Sequence, residues 1–190
     1  MALLRESLVP LIVAALGVAP IAPRSVVAQE RAPQQFEAIL HAMDEKAAQQ
    51  VHLECDDWGW DPLDSGHVIS LCIGEERNTR VRVFRTKTGQ LIAVTREVGL
   101  PRADALSMLD SVRDSLSNSL GQPDSCRQYN YGMKRSYLWH SGSYSVLLAL
   151  FDPSGQPIGH GKYADESLGI QAVRSTLRLD CYNWIPGRLK

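Results

Sequence analysis

Four cysteines, Cys55, Cys72, Cys126 and Cys181, constrain this chain more than any other feature. Zinc would call for close pairs such as C-x-x-C or H-x-x-x-H. Here the tightest cysteine pair is separated by sixteen residues, and only His52 lies within four positions of a cysteine. An even set without metal-ligand spacing reads as two disulfides, provided the chain reaches an oxidising compartment.

The first residues supply that provision. Arg5 precedes an apolar run from Leu8 to Ala22 that is interrupted by Pro10, Gly17 and Pro20. Val26 and Ala28 then stand where a signal peptidase takes small side chains. The run is shorter than the ~20 apolar residues a membrane-spanning helix needs. The expectation is a signal peptide over 1–28 and a single exported domain over 29–190, secreted or periplasmic. No other stretch is long and apolar enough to span a membrane. Without Arg5, Arg24 and Glu6, 18 basic and 20 acidic residues remain, a net charge of −2. That balance argues against a dedicated nucleic-acid binder, whose footprint is strongly basic.

Apolar periodicity predicts the elements. Phe36, Ile39, Leu40, Met43 and Ala47 form the stripe of an amphipathic helix, with Pro33 suited to its first turn. Leu106, Leu109, Val112, Leu116 and Leu120 mark a second helix, stopped by Gly121 and Pro123. Between them the period drops to two. TRVRVFR and QLIAVTREV flank the turn Thr86 to Gly89, which predicts a hairpin pairing Val83 with Ile92 and Val81 with Val94. Arg80 and Arg82 then share the face away from the valines.

SYSVLLALF is apolar on both faces, as in a strand covered on both sides. CRQYNYG, KRSYLWH and VRSTLRLDC are the remaining strand candidates, the last with Val173, Leu177, Leu179 and Cys181 inward. Helix, cysteine-bearing strand and hairpin occur twice, over 36–98 and 105–161. The fold class expected is α+β: an antiparallel sheet of hairpins with two amphipathic helices packed on it, an order that a duplicated α-β unit would also produce.

The cysteines close on themselves in this scheme. Cys55 and Cys72 bound a turn-rich stretch containing Gly59, Pro62 and Gly66, so the strands on either side return side by side. Cys126 opens the strand after the second helix and Cys181 closes the last one. The expected pairs are Cys55–Cys72 and Cys126–Cys181.

Two constellations stand out as surfaces. LECDDWGWDPLDSGHVISLC carries Asp56, Asp57, Asp61, Asp64 and His67, but not the alternating ligands, glycine and distant glutamate of a calcium loop. Trp58 and Trp60 flank Gly59, so in an extended segment their rings fall on one side, as in sugar or partner sites; capping the core beside Cys55 is the plainer role. The hairpin contributes Arg77, Arg80, Arg82, Arg85, Lys87 and Arg96, able to meet carboxylate or phosphate, or simply to form a solvated face.

Catalytic motifs are absent: no G-x-S-x-G, no H-E-x-x-H, no Walker loop and no G-x-G-x-x-G. No cofactor or metal is implied. The sequence therefore reads as an exported, disulfide-stapled, non-enzymatic binding module. Its expected contacts are Trp58, Trp60, Asp61, Arg80 and Arg82, and its partner a protein or an anionic cell-envelope component. The rival reading is a small exported hydrolase using the loop carboxylates, which a concave pocket with converging acid and base would distinguish.

Overall fold

Pro33 lacks the amide hydrogen that the first helical turn would leave unbonded, so it starts a helix at little cost. The computed structural model describes residues 32–58, 69–126, 133–151 and 166–174. In it α1 spans Pro33–Gln50 and buries the five apolar side chains read from the sequence. It ends where Val51 turns extended and donates its N–H to the Ala47 carbonyl at 3.2 Å. The expectations for 1–28, Trp60, Asp61 and Cys181 fall outside the described residues.

Four strands follow: β1 (Glu54–Trp58), β2 (Ile69–Glu76), β3 (Thr79–Thr86) and β4 (Leu91–Leu100). Helix α2 (Arg102–Leu120) comes next, then β5 (Asp124–Ser125), β6 (Met133–Ser141), β7 (Tyr144–Phe151) and β8 (Glu166–Arg174). They form one eight-stranded sheet in the order β1-β2-β3-β4-β8-β7-β6-β5, with every pairing antiparallel. Each half is thus a helix followed by a four-strand meander, and the halves meet where β4 pairs with β8. The likeness between them is one of connectivity. The α+β expectation, two helices on an antiparallel sheet, holds.

Both helices pack on one sheet face. Alternate residues of the strands, among them Val81, Val83, Val94, Val98, Val146, Leu148 and Ile170, form one core with the apolar stripes of α1 and α2. Buried aliphatic side chains of this kind contribute roughly 1.5–3 kcal/mol each. Trp139, fully buried on the same face, donates its indole N–H to the Gly121 carbonyl at 2.8 Å and so ties β6 to the end of α2. Gly121 takes a positive φ of 79°, which glycine adopts without a Cβ clash.

The opposite face is buried too. Leu71, Phe84, Ala93, Leu138, Leu147, Ala149 and Val173 make a second cluster there. Strand β7 is covered on both sides, as its two-sided apolar pattern implies.

The β3–β4 hairpin departs from its expected register. Val83 faces Val94, and Val81 faces Arg96, a shift of two residues. Two local features account for it. The turn runs from Thr86 to Gln90, with Thr86 N–H bonded to the Gln90 carbonyl and Gly89 at φ 83°, one residue longer than the tetrad read from sequence. A bulge between Phe84 and Arg85 adds the second residue and turns Ile92 to the same side as Ala93. Strand β8 begins at Glu166, seven residues before the expected last strand, and shares Val173 and Arg174 with it; residues 175–181 lie outside the described residues.

Candidate functional site

Among the described residues, strand β1 is the outermost strand on its side of the sheet. Its side chains Glu54, Cys55, Asp56 and Asp57 are all exposed, although alternate residues point to opposite faces. Neither face of this edge is covered. Trp58 ends the strand, its backbone opposite Ile69.

A disulfide holds the edge in place. Cys55 and Cys72 face each other in the β1–β2 register with Cα atoms 3.9 Å apart, and they are bonded as expected. Cys126, just beyond β5, is disulfide-bonded as well. Its expected partner, Cys181, lies outside the described residues. Close packing seats β2 two residues further along the same face: a Cβ on Gly74 would stand 2.5 Å from Val51 Cγ2 and 2.7 Å from the His52 carbonyl oxygen. Only glycine lets the chain leaving α1 cross so near β2.

The hairpin arginines do not form the open cationic face that the sequence suggested. Arg82 is only 3% exposed and donates from Nη1 to Glu97 Oε1 at 3.0 Å. The sequence pattern places it correctly on the face away from the helices. That face is covered, however, so Arg82 is not presented to solvent. Arg80, half-buried beside it, pairs with Glu75 across the β2–β3 register. Arg85 makes a two-pronged contact with Asp44 of α1 at 2.5 and 2.6 Å. Arg77 and Lys87 occupy exposed turns.

Arg96 is on the helix side, opposite Val81, and 6% exposed. Burial pulls its pKa down to about 10, and desolvation together with Arg96 lowers that of Lys46 on α1. The six basic residues are therefore spread over both faces and two turns, with their carboxylate partners supplied by β2, β4 and α1.

The buried polar side chains continue Arg82 inward. Thr95 faces Arg82 in the β3–β4 register and Gln171 faces Thr95 across β4–β8, at 1% and 0% exposure. This is a polar row through the middle of the sheet, lying between apolar neighbours.

Acid–base chemistry has one foothold among the described residues. His140 Nδ1 lies 2.7 Å from Asp124 Oδ2, between β6 and β5. Ser145 is opposite His140 in the β6–β7 register, but it is 7% exposed. The contact closes the two-residue strand β5 onto β6. A shallow depression of about 390 Å³ lies elsewhere, at the end of α1, lined by Ala48, Gln49, Gln50, Val51, His52 and Leu53. His52 is its one titratable side chain. Acid and base do not converge there. Among the described residues no helix is long and apolar enough to cross a membrane, and no group of His, Cys, Asp and Glu is arranged to hold a metal ion.

Comparison with family models, curated proteins and solved structures returns no match.

Proposed function

We propose that this chain is an exported, non-enzymatic binding module that engages a macromolecular partner along the β1 edge, with Trp58 at the end of the contact. The observation that carries the reading is the exposure of Glu54, Cys55, Asp56 and Asp57 on a terminal strand that a disulfide fixes to its neighbour. An edge already rigid loses little conformational entropy on binding, so more of the contact energy appears as affinity.

Charge narrows the partner. An anionic envelope component would need open cations, whereas Arg80, Arg82 and Arg85 are each engaged by a carboxylate of this chain. The β1 edge offers three carboxylates instead, which favours a protein with cationic side chains. Trp60 and Asp61, two and three residues beyond Trp58 in sequence, lie outside the described residues and stay part of the proposal on sequence alone.

The test is site-specific photocrosslinking in an exporting host. A benzophenone side chain at Asp57 should give a crosslinked product of defined mass, and the same group at exposed Asp110 on α2 should not. Equal products at both sites, or none at Asp57, would overturn the reading. Amino-terminal sequencing of the exported protein should begin at Gln29; an intact Met1 in a membrane fraction would contradict export.

A further inference from the structure

The backbone of β1 carries more information than its side chains. Facing residues in an antiparallel ladder alternate between hydrogen-bonded pairs, with Cα atoms ~5.5 Å apart, and non-hydrogen-bonded pairs at ~4.5 Å. At 3.9 Å, Cys55 and Cys72 belong to the close, non-hydrogen-bonded class. The β2–β3 turn gives the same phase: a two-residue loop joins Glu76 to Thr79, whose pairing is of the hydrogen-bonded kind, and alternation back along β2 directs the Cys72 backbone toward β3. It follows that Glu54, Asp56 and Trp58 bond to β2. Cys55 and Asp57 direct their N–H and C=O groups away from the sheet.

Two donors and two acceptors, two residues apart, are thus presented on a strand whose Glu54, Cys55, Asp56 and Asp57 side chains are exposed. This is the template that strand addition uses, in which main-chain hydrogen bonds supply affinity and alternate side chains supply selectivity. Resting on the reading of β1 as the binding edge, we infer that the occupant is an extended segment of another protein. It adds antiparallel to β1 and carries Lys or Arg at alternate positions, opposite Glu54 and Asp56.

The charges also argue against a second copy of this chain. A two-fold pairing through Cys55 and Asp57 has three central registers. Centring on Asp56 sets Asp56 against its own copy. Centring on Cys55 sets Asp56 against Glu54 twice, and centring on Asp57 opposes two Asp57 side chains. Like charges directly opposite destabilise a strand pair. Each register contains such a clash, whereas a basic strand turns the same positions into attractive pairs.

The experiment titrates the isotope-labelled, oxidised mature chain with the capped peptide Thr-Lys-Val-Lys-Val-Lys-Thr. In the inferred register its two Val residues face Cys55 and Asp57 and exchange main-chain hydrogen bonds with them. Two of its three Lys residues face Glu54 and Asp56, and the first stands at the Trp58 position. Saturable amide shifts should centre on Cys55 and Asp57. Replacing the three Lys by Glu should weaken binding about tenfold or more, through two reversed cross-strand pairs. N-methylation of both Val residues should also cost about tenfold or more, while N-methylation of the central Lys, whose N–H points outward, should change affinity less than about threefold.

A Val-methylated peptide that binds as well as its parent would reduce the contact to ionic attraction and overturn the inference. So would shifts centred away from β1, or no binding at all. Concentration-dependent protection of Cys55 and Asp57 without peptide would name a second copy as the occupant and overturn it too. A photocrosslink at Asp57 in a chain that ignores the peptide would leave the β1 edge as a binding surface and reject only strand addition by a basic segment.

Discussion

Arg82 on β3 and Glu97 on β4 meet 3.0 Å apart with their side chains 4% and 10% exposed, on a sheet face that alternation alone would assign to solvent. Removing one partner of such a pair leaves the other charge buried in a poorer setting, which costs more than the pair itself contributes. Arg82→Met should therefore destabilise the domain by about 3 kcal/mol, and Arg82→Met with Glu97→Leu should recover most of that loss. Urea denaturation of the two variants measures both. A single mutant as stable as the native chain would mean that this face is hydrated.

The Cys55–Cys72 disulfide closes a loop with a sequence separation of 17. In the chain-entropy picture such a loop contributes about 3 kcal/mol. Cys55→Ser with Cys72→Ser should lose roughly that amount in denaturant unfolding and should speed amide exchange in β1 more than in β4. For the second link, non-reducing peptide mapping should recover Cys126 joined to Cys181. A peptide joining Cys55 to Cys126 would contradict both assignments.

Gly74→Ala probes the crossing at the end of α1. The added methyl would meet the His52 carbonyl oxygen, part of the backbone, as well as the Val51 side chain. Overpacking against a wall that cannot rotate away should destabilise the domain by about 2 kcal/mol. An unchanged midpoint in thermal unfolding would show that the turn after α1 has slack.

The helices are legible in the sequence because apolar residues three and four apart line up on one side of a helix and scatter over both sides of a strand. Even so, Leu106, which that spacing assigns to the core, is the exposed member, with Ala105 and Met108 taking the buried places on α2. Alternation correctly puts Arg80 and Arg82 opposite the valines of β3. It does not say that the second face is covered, because pattern reports which residues share a side and not what lies over it.

The hairpin register slips for a related reason. A bulge at Phe84/Arg85 and a turn longer by one residue leave no mark in an apolar/polar string. Strand β8 escapes notice because Gly169, a poor strand former, and a polar residue, Gln171, sit near its centre; Gln171 is nonetheless fully buried beside Thr95. Of the candidate contacts, Trp58 ends β1, next to Asp56 and Asp57, while Trp60 and Asp61 lie outside the described residues. Arg82 is withdrawn into the fold and Arg80 is turned toward Glu75. What sequence does not supply is the phase of the ladder, which the 3.9 Å between the Cys55 and Cys72 Cα atoms reveals.

Residue-resolved hydrogen exchange on the free, oxidised chain tests the open edge most directly. A two-residue alternation along β1 should emerge: the Glu54, Asp56 and Trp58 amides protected by β2, and the Cys55 and Asp57 amides exchanging at close to unprotected rates. Uniform protection through β1, with Cys55 and Asp57 as slow as their neighbours, would show that the edge is already covered and would rule out β1 as an open template for a partner strand.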